Sequence, residues 1–324
     1  MASCIGHCSV LSAYRPLTKD SKDSRSAKLA LQVPRGFGQS RLCTPDRQHG
    51  QMTKYPLPKS YKNTYPFRLG TTSFIYPDTY IPNVRMLVPY LDEIELLLFE
   101  SSSESLPTKH EIEMLALLSE ESDVTYNIHL PTDISLTDPD PSARCHAVET
   151  IHNIMNLTSP LSPSTYTLHL PYNQESRKKE DVKKWQERTN GSMIQLTEAL
   201  STFHFPLSIE TLDYPFEWAE KIVTDHNLSL CMDIGHLIVH GSDVQAFFQK
   251  YADIISIIHL HGVENGQDHI ALNRLSEKNI HLVMKILKQF RGVVSLEVFS
   301  YNHLNASLNF LEEHWQIYQK DSKN

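Results

Sequence analysis

One phrase occurs twice, forty residues apart: Thr125-Tyr-Asn-Ile-His129-Leu-Pro131 and Thr165-Tyr-Thr-Leu-His169-Leu-Pro171. Each is a short apolar run that ends in histidine and is stopped by proline, the signature of a buried strand with an imidazole at its carboxyl end. Other apolar runs end in the same way with other donor residues. Leu207-Ser-Ile ends in Glu210, Leu228-Ser-Leu-Cys-Met in Asp233 followed by Ile-Gly-His236, Ile254-Ile-Ser-Ile-Ile in His259, and Val293-Val-Ser-Leu in Glu297. Imidazoles and carboxylates at successive strand ends share one face only if the strands are parallel, and a face of that composition suits a metal ion.

The spacing of these runs predicts eight strands, at residues 67–75, 93–99, 125–130, 165–170, 207–211, 228–233, 254–260 and 292–299. Helical periodicity fills the intervals, at 84–91, 108–119, 143–157, 179–200, 216–225, 244–251, 276–290 and 304–318. Eight strand–helix alternations with strands apolar on both faces predict a (β/α)₈ TIM barrel over residues 65–324, with its chemistry at the carboxyl ends of the strands. Residues 1–64 lack periodic apolar positions and are expected to form a disordered or irregular extension.

Charge divides along the same line. Residues 1–69 carry 12 Lys or Arg against 3 Asp or Glu, whereas the whole chain is −8, leaving −17 on residues 70–324. An acidic barrel argues against nucleic acid as the substrate, since such binding relies on Lys and Arg. No apolar run approaches the roughly 20 residues that cross a bilayer, and no basic start with an apolar run marks a secretory signal. Five scattered cysteines argue against a disulfide framework, and Cys4 and Cys8 lack a second pair with zinc-site spacing. These features lead to the expectation of a cytoplasmic protein without a membrane partner.

Glu210, Asp233, His259 and Glu297 form the expected core ligand set, and three carboxylates with one imidazole suit Zn²⁺, Mn²⁺ or Co²⁺. His129 and His169 add two imidazoles, although a histidine at such a place also caps a strand by bonding a backbone carbonyl. His236 lies three residues past Asp233, with Gly235 expected to permit a tight turn. Asp268 and His269 lie on the loop after the seventh strand and offer a further pair. Arg274 is the expected phosphate clamp, and Glu95, alternating with Leu96 on the second strand, is placed facing into the barrel. Tyr76 is expected at the barrel mouth with Tyr80, Tyr172, Tyr214 and Tyr301. His261 is assigned to the opposite side of its strand from His259 and to a structural role.

The order His129, His169, Glu210, Asp233-x-x-His236, His259, Asp268-His269, Glu297 resembles the xylose isomerase-like barrels, which include apurinic endonucleases of the endonuclease IV type and many sugar isomerases and epimerases. The likeness spans about residues 67–318. The extra histidines resemble the multi-metal phosphodiesterase branch. That branch spaces its acidic–histidine pair as Asp-x-His, whereas Asp268 and His269 are adjacent, so one to three ions are expected. The stretch Leu69-Gly-Thr-Thr-Ser-Phe-Ile-Tyr-Pro-Asp-Thr-Tyr-Ile-Pro-Asn-Val-Arg85, with Asp92-Glu-Ile-Glu-Leu-Leu-Leu-Phe-Glu100, is similar to the cobamide-remodelling phosphodiesterases. That resemblance implies a hydrolase that cuts the nucleotide loop of a corrinoid to cobinamide phosphate and a base riboside, with Glu210 and Glu297 as catalytic carboxylates. The alternatives are a one-metal sugar isomerase or epimerase using the same two carboxylates as acid and base, and a binding protein without turnover.

Overall fold

The computed structural model describes residues 55–200 and 206–321. Most of the expected extension, with Cys4, Cys8 and Cys43, lies outside the described residues. The elements run β1 (Arg68–Thr72), α1 (Tyr80–Leu87), β2 (Glu93–Leu97), α2 (Lys109–Ser122), β3 (Thr125–His129), α3 (Pro141–Thr158), β4 (Tyr166–Leu168), α4 (Lys179–Ala199), β5 (Leu207–Glu210), α5 (Glu217–Asp225), β6 (Ser229–Asp233), α6 (Ile234–Val239), α7 (Val244–Tyr251), β7 (Ile255–Leu260), β8 (Gly262–Glu264), β9 (Gln267–Ile270), α8 (Glu277–Leu287), β10 (Val293–Leu296) and α9 (Tyr301–Asp321). Eight of the strands close into a parallel barrel in the order β1-β10-β7-β6-β5-β4-β3-β2, the predicted (β/α)₈ architecture.

Local chemistry explains where the helices begin. Thr108 and Glu111 form a reciprocal capping box at the start of α2, which satisfies two otherwise orphaned amides. Asp140 caps α3, which has Pro141 in its first turn, where the missing N–H costs nothing. Asp243 caps α7 and Ser276 caps α8 through their side-chain oxygens. The strands are buried on both faces because helices cover the outside, but the inward positions are largely polar: Glu93, Glu95, Asn127, Thr165, Ser208 and Ser295 point inward and bond one another across the barrel. Among the described residues, no helix is long and apolar enough to cross a membrane.

Two features depart from the sequence expectation. The loop after β7 is a two-stranded antiparallel hairpin, β8 with β9. Its turn residues, Asn265 and Gly266, both have positive φ, at 53° and 77°. Asn-Gly is the residue pair that favours a tight hairpin turn of this hand. The second departure is α6, a helix of six residues that begins immediately after β6.

The amino-terminal end of the barrel is sealed by polar pairing. Arg68 meets the buried Glu93 at 2.8 Å, and Asn127 donates to the same carboxylate at 3.0 Å. Asp92 accepts backbone N–H groups of Asn63 at 2.8 Å and Leu69 at 2.9 Å. Leu57 and Tyr61, within the expected extension, are buried in the main core with Tyr65 and Phe67. Tyr65 stacks on Phe67 at 5.1 Å, and the Trp315 ring from α9 meets both edge-on at 5.4 and 5.7 Å.

These contacts set a limit on truncation. Removing residues 1–51 is expected to leave the melting temperature unchanged. Removing residues 1–66 strips Leu57, Tyr61 and Tyr65 from the core, at about 1.5–3 kcal/mol per large apolar side chain, and should lower the melting temperature by roughly 10 °C or more. Thermal denaturation of the two truncated chains separates these outcomes.

Candidate metal centre

Strand register brings the donors together. Glu210 on β5 is level with Cys231 on β6, Asp233 on β6 with His259 on β7, and His259 with Ser295 on β10. The carboxyl ends of β5, β6 and β7 therefore carry Glu210, Asp233 and His259, and Glu297 follows β10 directly. Single ligand atoms of these four residues lie within 4.8 Å of one another. His129, His169 and Glu210 form a second such group, so Glu210 belongs to both.

The two histidines of the repeated phrase face Glu210. His169 Nε2 lies 2.9 Å and His129 Nε2 3.2 Å from its Oε2. His129 also caps its strand, because Nδ1 lies 2.9 Å from the Leu130 carbonyl. The capping and ligating roles are thus compatible. A proton held on Nδ1 by a carbonyl leaves the Nε2 lone pair for a metal, the usual way in which an outer hydrogen bond fixes the tautomer of a ligating histidine. His236 is arranged alike, with Nδ1 3.0 Å from the Thr211 carbonyl.

The Asp233-x-x-His236 spacing has a specific local cause. Asp233 is the N-cap of α6 and accepts the His236 backbone N–H at 2.7 Å, so the first helical turn carries the His236 ring back over the strand end. The expectation that Gly235 serves a tight turn is corrected: it lies inside α6, and a Cβ there would sit 2.0 Å from the His261 ring. Glycine makes room for that imidazole.

His261 is the residue that sequence reasoning misassigns. Positions two apart share a face of a strand, so alternation keeps it with His259 rather than opposite it. It has no exposed surface, and its Nε2 lies 3.2 Å from Asp233. Asp233, His236, His261 and His269 form a further group of donors.

Asp268 and His269 both face this group although they are adjacent. His269 has a φ of 52° at a point where the hairpin register shifts. That left-handed residue cancels the strand alternation. His269 Nε2 reaches within 3.3 Å of Glu297, while Nδ1 lies 3.0 Å from Asp268. Asp268 reaches His236 only at 4.0 Å.

Glu95, Tyr76 and Arg274 have partners of their own, and Glu95 also forms a donor group with His129 and Glu297. Glu95 is fully buried behind His259, whose Nε2 is 3.5 Å away, and accepts a hydrogen bond from Ser295. Tyr76 is buried, and its hydroxyl donates to the Tyr55 carbonyl at 2.8 Å. Arg274 is exposed and pairs with Glu264 of the hairpin at 3.7 Å. Tyr172 and Tyr214 pack with Trp185 and Trp218 in an aromatic cluster.

The donor set fits a divalent cation. His259 Nδ1 and Glu297 Oε2 are buried only 3.1 Å apart, yet neither has a hydrogen bond of acceptable geometry. Buried polar atoms left without hydrogen bonds call for another partner, and both of these are metal-ligand atoms. The charge balance agrees. Burial pushes the Glu210 carboxyl up, but His169, His259 and His129 outweigh it and hold it well below the usual range. His259 and His269 do the same for Glu297. Burial opposes charge on His259, but the surrounding Cys231, Glu95, Glu297 and Glu210 raise it well above its ordinary value. His129 and His236 are raised against burial by Glu210 and by Asp233, respectively. Glu95, where burial dominates, is raised. Without metal, the neighbouring carboxylates thus favour the charged form of His129, His236, His259 and His269.

A family model described as a xylose isomerase-like TIM barrel matches residues 91–315. No curated protein sequence matches the chain. Among solved structures, a D-tagatose 3-epimerase-like protein is similar over 79% of this chain and 100% of its own, at 19% identity and a TM-score of 0.66. Endonuclease IV from Thermus thermophilus is similar over 76% of this chain and 99% of its own, at 17% identity and a TM-score of 0.58. The IOLI protein with a binding zinc atom is similar over 79% of this chain and 97% of its own, at 15% identity and a TM-score of 0.57.

The pH dependence of the metal-free chain follows from His269 and Asp268. Burial opposes charge on His269, but Glu297 and Asp268 raise it from 6.5 to about 11. Its stabilising effect is therefore complete below pH 6.5 and is lost as the pH rises towards about 11. The hydrogen bond from His269 lowers Asp268 from 3.8 to about 2, so its contribution is complete above pH 3.8 and is lost as the pH falls towards 2. The chelated protein should therefore melt highest between pH 3.8 and pH 6.5. Metal binding needs neutral imidazoles and releases protons, so added Zn²⁺ should shift the maximum to higher pH. Melting curves at stepped pH, with chelator or with Zn²⁺, test both expectations.

Proposed function

The chain belongs to the xylose isomerase-like TIM barrel family, and from that premise we propose that it is a metal-dependent phosphodiesterase of cobamides. In this reading it hydrolyses the nucleotide-loop phosphodiester of a coenzyme B12-type corrinoid to cobinamide phosphate and a base riboside. The observation that carries the phosphodiesterase assignment is the position of Glu210 in two adjoining donor groups, one with His129 and His169 and the other with Asp233, His259 and Glu297. A carboxylate with two oxygens can serve neighbouring cations, and paired cations suit the attacking and leaving oxygens of an in-line phosphoryl displacement. The corrinoid assignment rests on the likeness of residues 69–100 to the cobamide-remodelling enzymes.

Divalent cations at these residues would supply positive charge for the phosphate and lower the pKa of water towards about 7. That charge also allows an acidic barrel to accept an anion. In the chain itself, Glu210 and Glu297 are held ionised, the state needed to take a proton from attacking water. The partly exposed imidazoles of His169, His236 and His269 border the opening, where cations that they hold would meet phosphate oxygens. Water adds to phosphorus and the phosphorus–oxygen bond to the ribose breaks, so the phosphate stays on cobinamide.

The second reading is a sugar epimerase, favoured by the four-residue set Glu210, Asp233, His259 and Glu297, which suffices for one ion with two carboxylates as acid and base. His129 and His169 distinguish the two. They are surplus to the one-ion scheme, while the phosphodiesterase scheme uses both.

Incubation with adenosylcobalamin and Zn²⁺, Mn²⁺ or Co²⁺ should yield cobinamide phosphate and a riboside by mass. Glu210→Gln and Glu297→Gln should each abolish turnover and lower metal content at unchanged melting temperature. His129→Ala and His169→Ala should each cost more than about tenfold in rate, a loss typical even of outer partners to a metal, and should lower metal stoichiometry. Full metal and full activity in both histidine variants, or epimerisation of a ketose by the wild type, would favour the second reading.

A further inference from the structure

His261 occupies a place where two parts of the centre meet. It lies one residue past the end of β7, between Asp233 on β6 and the β8–β9 hairpin. Its Nδ1 is 2.9 Å from the backbone nitrogen of His269, and its Nε2 is 3.2 Å from both oxygens of Asp233. A backbone N–H can only donate, so Nδ1 is the acceptor and carries no proton. The ring proton is then on Nε2, which donates it to Asp233. The 3.2 Å approach of Nδ1 to the Gly262 carbonyl is accordingly a contact between two acceptors.

The surroundings hold the ring in this orientation. Gly235 leaves the space it fills, where a Cβ would meet its Cε1 at 2.0 Å. The His269 ring stacks on it at 4.2 Å, with planes 17° apart. A left-handed non-glycine residue such as His269 is strained and persists only where its surroundings impose it. The bond from its N–H to His261 is one such constraint.

We propose that His261 is a positioning residue and not a metal ligand: it orients the Asp233 carboxylate through Nε2–H and pins the hairpin that carries Asp268 and His269 through Nδ1. The inference rests on the metal-centre reading given above, and it explains how an adjacent Asp-His pair reaches a site that a regular strand would deny to one of them. His261 also links the donors on the barrel strands to those on the hairpin through a single ring.

The full-length chain with selectively ¹⁵N-labelled histidine tests this directly, with Zn²⁺ as the probe. Before and after Zn²⁺ addition, His261 should show a protonated Nε2 and an unprotonated Nδ1. Loss of the Nε2 proton on loading would make it a ligand and overturn the proposal. Chelator competition gives a second measure. His261→Ala should weaken Zn²⁺ binding by about 10–100-fold, the usual cost of losing a ligand's hydrogen-bond partner. His261→Gln, which keeps an N–H donor for Asp233, should recover most of that loss. Wild-type affinity in His261→Ala, or no recovery in His261→Gln with a wild-type melting temperature, would overturn the role of His261 alone. A wild-type chain that takes up no divalent ion would overturn the metal-centre reading beneath it.

Discussion

Glu210, Asp233 and Glu297 present carboxylate oxygens within 4.8 Å of one another at the carboxyl end of a closed barrel, and their mutual repulsion is the constraint around which the rest of the centre is built. Two like charges about 4 Å apart repel by roughly 4 kcal/mol at an effective dielectric constant near 20. Burial removes the water that would screen them. The offsetting charge must therefore come from the imidazoles interleaved with them or from a cation. The histidines face the carboxylates on every side: His129 and His169 at Glu210, His236 and His261 at Asp233, His259 and His269 at Glu297. Apart from His261, these residues can exchange protons for metal, which makes the cluster a binding site as well as a solution to its own electrostatics.

The barrel keeps stability and chemistry at opposite ends. At the amino-terminal end, polar groups are paired with one another: Glu93 with Arg68 and Asn127, Asp92 with two backbone amides, and Ser208 with Thr165 and Ser256. At the carboxyl end, His259 Nδ1 and Glu297 Oε2 stay without hydrogen bonds although enclosed. Asn127 Oδ1 is likewise without a hydrogen bond, but the unbonded atoms at the carboxyl end lie among imidazoles and carboxylates within ligand distance of one another, as expected for barrels whose reactive groups lie at the strand carboxyl ends.

Several residues serve local structure and the site together. Asp233 caps α6 while presenting its other oxygen to the cluster, and His129 closes its strand through Nδ1 while its Nε2 faces Glu210. Such double use fixes ligand orientation without additional residues. It also explains why a capping reading and a ligating reading of the same histidine are compatible.

Much of this is legible before folding. The eight strands can be placed because each is a short apolar run, six of them with a donor at the end, and strand alternation with helices leaves a parallel barrel as the architecture that buries both faces. His129, His169, Glu210, Asp233, His259 and Glu297 can be named because parallel strands bring their carboxyl ends to one face, whereas His236, Asp268 and His269 lie on the segments that follow. Register and backbone exceptions are decided by the tertiary structure. His261 shares a face with His259, two residues away, and joins the cluster because Gly235 leaves room for its ring. His269 faces the same way as Asp268 because of one left-handed residue in a hairpin, whose Asn265-Gly266 turn is a signal readable in the sequence. Glu95 is expected to face into the barrel and lies behind His259, because a position on a strand gives its face but not the layer it occupies in depth. Sequence by itself determined which chemistry the strands carry and which end they share. Only the closed barrel decided which atoms meet, because distances between side chains on different strands depend on register, and register is set by the packing of the whole ring of strands.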